Sequence, residues 1–234
     1  MDKAELRERY EATGEVSFYE QARPLYEDAL ARDPGNARLL REYGYLLECH
    51  GRYAIRASIR CYQRAIDAAP GWEATHLHLI GALAAVQNLD ERVLARYEQR
   101  VADAPADPSG YRLLAVACLR AGDRDWAERT IRDGLRVAPD DPFLVEQQGD
   151  LYAATSRPED ALASWRRAFA LAPEDYGISM RFSAAFLLER LGRLAEAAHE
   201  WRFIIRWNEE RGETIHLDWP RRELRRVEEE LAGG

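Results

Sequence analysis

His76 and His78 are the nearest approach to a metal pair in this 234-residue sequence. On a helix, residues two apart point roughly 200° apart, so they cannot grip one ion, and an exposed or interhelical contact is the expected fate of His76. Cys49 and His50 are adjacent in sequence and face different ways, which argues against a nucleophile and its base. Cys49, Cys61 and Cys118 form no CxxC pair; an odd, unpatterned set reads as reduced thiols. No GxxxxGK[ST] loop, GxGxxG turn, HExxH or GxSxG occurs. The chain is therefore expected to be no enzyme and to hold no metal and no cofactor.

Its charge excludes a second class. With 33 basic against 41 acidic residues the net charge is −8, so the global field for a phosphate backbone is missing and a nucleic-acid partner is not expected. Arg221, Arg222, Arg225 and Arg226 precede Glu228, Glu229 and Glu230 at spacings that make pairs along one helix. Lys3 is the one lysine among the basic residues, a bias that fits a GC-rich, bacterial source. Hydrophobic content of 47% with 32% charged residues is that of a folded domain. The first residues, MDKAELRERYEATGE, carry no apolar signal core, and no run of about 18 apolar residues crosses a membrane. A cytoplasmic location is expected.

Prolines punctuate the chain at Pro34, Pro70, Pro105, Pro139 and Pro173, at intervals of 36, 35, 34 and 34 residues. A proline cannot continue a helix, and a fixed period of this size signals a stacked repeat. Six helix-turn-helix units follow, over about 3–34, 36–70, 71–105, 107–139, 140–173 and 175–207, with a linker and a C-terminal capping helix in 208–234. Gly14, Gly51, Asn88, Gly122 and Gly192 are the expected turns, and two extra residues near Ala54–Arg56 stretch the second unit. The last helix opens at Asp218 with Trp219 and Pro220 in its first turn; Leu224, Val227 and Leu231 form its apolar stripe.

Residues 141–173, DPFLVEQQGDLYAATSRPEDALASWRRAFALAP, carry the clearest unit. Gly149, Ala161 and Ala168 are small residues that let two helices approach; Tyr152 and Trp165 fill the space between. Trp201 takes the same place in the sixth unit, and Trp72, Trp207 and Trp219 stand where an aromatic plugs the seam between units. Arg100 replaces a small residue and must reach solvent or pair with an acid. Small residues and aromatics at these offsets, ending in proline, resemble the tetratricopeptide repeat over about residues 3–207. The segment EYGYLLECHG at 42–51 also resembles the half-repeats of RNA-processing scaffolds, a weaker match in an acidic chain.

The resemblance implies an all-α fold, a right-handed α-α superhelical solenoid whose first helices line a concave groove. It also implies a function: a protein-protein interaction scaffold holding a peptide or helix of another protein. Carried over residue by residue, the groove would be lined by Arg41, Tyr45, His78, Leu79, Arg112, Leu113, Val116, Gln147, Phe182 and Phe186. Leu79, Leu113 and Val116 serve equally well as helix-to-helix packing. The clamp by which co-chaperones of this family hold a carboxylate tail is not expected. Arg41 could start it, but Tyr45, Leu79 and Leu113 stand where its asparagines and basic residue belong. An accessory or regulatory subunit of a neighbouring enzyme is the alternative function, and a homodimer through the groove or the last helix is compatible with the sequence.

Overall fold

Asp2 starts the first helix chemically: its carboxylate accepts from the backbone N–H of Ala4 at 2.8 Å and Glu5 at 3.0 Å, occupying donors that a helix start leaves bare. Asn36, Asp90 and Asp141 cap three later helices in the same way. The computed structural model describes residues 1–51, 55–172, 178–212 and 217–233; among these every regular element is an α-helix. In chain order they are α1 Lys3–Thr13, α2 Val16–Arg32, α3 Ala37–Cys49, α4 Ile55–Ala68, α5 Glu73–Ala85, α6 Glu91–Asp103 and α7 Pro108–Ala121. There follow α8 Arg124–Val137, α9 Pro142–Ala154, α10 Pro158–Leu171, α11 Ser179–Arg190, α12 Leu194–Glu210 and α13 Asp218–Gly233. Tyr53, Ala54, Pro173 and Tyr176, which belong to the expected unit pattern, lie outside the described residues.

The helices fall into two compact units, Met1–Ala104 with Val116–Asp123, and Pro105–Ala115 with Arg124–Gly234. In the first, α1 pairs with α2 and α3 with α4, while α1 touches α3 and α3 touches α5, so first helices lie beside first helices. In the second, each helix from α8 to α13 packs against the next.

Small-against-large nesting is the packing rule inside the pairs. A methyl added at Gly149 would lie 2.5 Å from Cδ1 and Nε1 of Trp165; one at Gly44 would lie 2.8 Å from Cε1 of Tyr62. Tyr26, Tyr62, Tyr97, Trp165 and Trp201 are all buried, each worth about 1.5–3 kcal/mol of removed apolar surface. Their polar ends reach acids: Tyr62 Oη donates to Glu48 at 2.8 Å, Trp165 Nε1 to Asp150 at 3.0 Å and Trp201 Nε1 to Glu189 at 2.6 Å. Tyr97 has no acid opposite, and its buried hydroxyl finds no partner among the described residues.

Several expectations are corrected. Arg100 neither pairs with an acid nor reaches freely into solvent: it donates to the carbonyl of Pro70 at 3.0 Å. Arg64 reaches Pro34 O at 2.6 Å and Arg167 reaches Pro139 O at 2.9 Å in the same manner. The closing proline ends a helix and leaves a carbonyl that a second-helix arginine then satisfies. The left-handed residue at the third turn is Gln87 (φ 55°), not Asn88. Trp72 plugs no seam; it is 40% exposed beneath the Arg41 guanidinium. On α13 only Arg226–Glu230, at 3.0 Å, forms as an expected pair, because the other charges tie helices together: Arg221 to Glu209 at 2.7 Å, Arg202 to Glu228 at 2.6 Å, and Arg226 to Glu189. Val227 is buried as its stripe requires, whereas Leu231 is exposed.

Candidate partner-binding site

Three first helices of the first unit enclose a notch of about 220 Å³, lined by Arg7 of α1, Arg41, Glu42 and Tyr45 of α3, and His78 of α5. Helical periodicity places them: Leu6, Leu40, Leu79 and Ile80 turn into the core, which carries their neighbours Arg7, Arg41 and His78 to the rim. Arg41 and Tyr45, four apart, share one face of α3.

The electrostatics of the notch are unbalanced. Glu42, nearly buried, takes Arg38 Nε at 2.9 Å on one oxygen and the Tyr26 hydroxyl at 3.5 Å on the other. Burial, with this carboxylate beside it, pushes the Tyr26 hydroxyl up to about 12. Arg7 meets exposed Glu8 at 3.3 Å, yet its Nε is buried and finds no partner among the described residues. Arg41 stacks over Trp72 at 5.4 Å. Tyr45 donates its proton to Glu11 at 2.5 Å; burial and that bond raise its ionisation well above the ordinary range. His78 sits between Tyr45 and Tyr62, each ring 5.5 Å away. Burial lowers its pKa, Glu48 works against that, and Arg41 adds to it, so the imidazole is held towards its neutral form.

Of the ten residues expected to line a groove, Arg41, Tyr45 and His78 thus meet in one notch. Leu79, Leu113 and Gln147 are buried and offer a partner nothing: the leucines pack between helices, and Gln147 Nε2 donates to the backbone carbonyl of Arg112 at 3.1 Å. Arg112 is also turned inward. Its Nε lies 2.8 Å from Oδ2 of buried Asp141, and its guanidinium covers Phe143 at 4.8 Å. It is a structural arginine, because Asp141 caps α9 and needs a counter-charge there. Val116 is half-buried in the first unit. In the second unit Phe182 is stacked by the chain's own Trp219 at 5.4 Å, and Phe186, 39% exposed, lies 5.7 Å from the same ring. Arg7, Trp72 and Trp219 join these surfaces without having been expected there. Arg7 follows the apolar Leu6 at the spacing of a groove-facing position, a signal that the short, polar terminal helix around it conceals.

Among the described residues no group of three or more His, Cys, Asp or Glu is placed to hold a metal ion. The Cys49 thiol is pushed up to about 11, first by burial and then by Glu11 and Glu48, the reverse of an activated nucleophile. His50 instead stacks on Tyr19 and lies 3.2 Å from the Tyr10 hydroxyl. His76 makes the interhelical kind of contact expected of it, its Nε2 lying 3.0 Å from Pro70 O and its ring edge-on to Tyr97. No helix among the described residues is long and apolar enough to cross a membrane.

The profile described as tetratricopeptide repeat matches residues 14–54 and 146–201. Over those residues the chain is similar to the tetratricopeptide repeat. The crystal structure of TTC0263, a thermophilic TPR protein in Thermus thermophilus, is similar with a TM-score of 0.60 at 21% identity, over 82% of this chain and 98% of that one. The structure of the APC/C hetero-tetramer Cut9–Hcn1 is similar with a TM-score of 0.52 at 13% identity, over 94% of this chain and 48% of that one. At such identities the likeness is one of fold. No curated protein sequence matches the chain. In tetratricopeptide terms, the notch lies on the first-helix side of its unit, and the first-helix aromatics of the last repeat are partly covered by α13.

Proposed function

We propose that this chain is a non-catalytic scaffold that binds a peptide or helical segment of another protein on its first-helix faces. The single observation that carries this reading is the notch: side chains from three successive first helices converge on one open, charged and aromatic-walled space. Such a space gives an extended or helical segment an anchor point beside a polar rim. The repeat architecture supports the reading, since each first helix buries one stripe, such as Leu40 or Leu79, and leaves the other, such as Arg41 or His78, at the surface.

The test is a competition among variants for a partner captured from the source organism. Arg41→Glu and Phe186→Ser alter first-helix surfaces; Gln63→Glu and Arg129→Glu alter exposed positions of second helices α4 and α8. Loss of capture by the first pair alone, at unchanged melting temperature, is the expected result. Equal loss with the second pair would place the binding surface elsewhere.

A further inference from the structure

The aromatic surface of the second unit specifies what kind of segment can lie on it, an inference that rests on the scaffold reading above. We propose that Phe186 and Trp219 form a docking platform for a proline-rich segment of the partner, held in the extended polyproline II conformation. Phe186 of α11 and Trp219 of α13 are both exposed, and their ring centroids lie 5.7 Å apart with 33° between the planes. Large apolar rings that meet at the surface mark a contact surface more often than a lone exposed side chain does. They cannot turn inward, because buried Trp201 fills the space beneath, edge-on to Phe186 at 5.2 Å and to Trp219 at 5.6 Å. Trp201 is itself fixed by its Nε1 bond to Glu189 at 2.6 Å, and Phe182 stacks on Trp219 at 5.4 Å. The platform is ordered before a ligand arrives, which removes one cost of binding.

Charge and hydrogen bonding choose the ligand. Within about one or two turns of the rings, Arg190, Arg222 and Arg226 stand against Asp218, Glu189 and Glu223, a balance that favours a neutral segment. Two of those carboxylates are spent: Glu189 accepts from Trp201 and Arg226, and Glu223 accepts from Arg226 at 3.0 Å. The groups left for a ligand are mainly donors, the guanidiniums of exposed Arg190 and Arg222 and the indole N–H of Trp219, none of which can accept. A proline-rich segment is their complement. Polyproline II has no internal hydrogen bonds, so its carbonyls are free to accept, and each proline removes an N–H that would need an acceptor. A helix has already used its carbonyls and would set apolar side chains against those donors. Pyrrolidine rings dock on aromatic faces, and the stiff conformation loses little entropy in doing so.

The experiment titrates the full chain, labelled with nitrogen-15, and follows its indole Nε1–H resonances. The probes are acetyl-hexaproline amide, a glycine-serine hexamer with the same ends, and an alanine-rich helical peptide carrying leucines along one face. Hexaproline should move the Trp219 signal saturably, the other two peptides should not, and the Trp165 signal should stay in place. Phe186→Leu keeps apolar bulk but loses the flat face, and should raise the half-saturation concentration about fivefold. Trp219→Phe keeps a ring but drops the N–H; read on the Trp201 signal, it should weaken binding by about the same factor and serves if Phe186→Leu does not fold. Equal response to the glycine-serine hexamer, or an unchanged half-saturation in either folded variant, overturns the platform. Stronger saturation by the leucine peptide would give it to a helix, and a Trp219 signal that moves with protein concentration alone would give it to a second copy of the chain; either overturns the proline assignment. No response to hexaproline also overturns it, and leaves the scaffold reading to its own competition experiment, which measures partner capture and includes Arg41 of the other unit.

Discussion

Gly149→Ala and Gly81→Ala are the same chemical change in two helix interiors, and the structure predicts opposite signs. Alanine is favoured over glycine within a helix by about 1 kcal/mol, so each variant starts with that gain. At Gly81 nothing lies within 4 Å of the new methyl, and the gain of about 0.5–1 kcal/mol should be kept. At Gly149 the methyl would sit 2.5 Å from two atoms of the Trp165 ring, which real carbon contacts do not tolerate. The ring cannot swing away cheaply: it is buried, and its Nε1 donates to Asp150 at 3.0 Å. Forcing an extra methyl into such packing costs about 1–3 kcal/mol, and moving the indole adds the lost hydrogen bond of about 1 kcal/mol. A net loss of about 1–3 kcal/mol follows once the helix gain is subtracted. Urea unfolding read by tryptophan fluorescence measures both, as shifts in midpoint at constant slope. A Gly149→Ala chain as stable as the parent would refute the nesting of glycine against tryptophan.

Arg112→Gln should cost about 3 kcal/mol, since it strands the buried Asp141 carboxylate, and the same urea experiment reads it; a loss under about 1 kcal/mol would mean the pair is incidental. Tyr97→Phe should be neutral or stabilising, because it removes a buried hydroxyl without a partner, whereas Tyr62→Phe should cost about 1 kcal/mol by orphaning its bond to Glu48; melting curves of the two variants compare them directly. Stability should fall as pH drops below about 6.5, the ordinary histidine value, because burial lowers the folded-state pKa of both His76 and His78. Between the lowered value and about 6.5 the unfolded chain binds more protons than the folded one, so stability rises with pH through that window. A His76→Gln, His78→Gln double variant should flatten the slope in that window, measured by urea midpoints between about pH 5 and 7.

Periodic features are legible in the sequence and compensating ones are not. The prolines and the glycine–aromatic offsets announce the helix pairs because steric rules act locally, within a few residues. The limits of α1 at Lys3 and Gly14 are readable for the same reason. Arg100 escapes such reading because its partner is a backbone carbonyl 30 residues back, which no spacing of charges reveals. Arg112 sits at a groove-facing offset, so spacing alone assigns it to a groove; that Asp141 claims it follows only once α7 and the start of α9 are placed. Arg41, Tyr45 and His78 can be named separately from the repeat pattern, but Arg7 joins them through the contact between α1 and α3.

Replacement of Tyr45, Phe186 and, as controls, Gln63 and Arg129 by a photo-cross-linking amino acid, followed by illumination of the chain with its captured partner, tests binding on the first-helix faces most directly. The account predicts that Tyr45 and Phe186 cross-link to a discrete segment of that partner and that Gln63 and Arg129 do not. Cross-links arising from Gln63 and Arg129 while Tyr45 and Phe186 stay unmodified would contradict it.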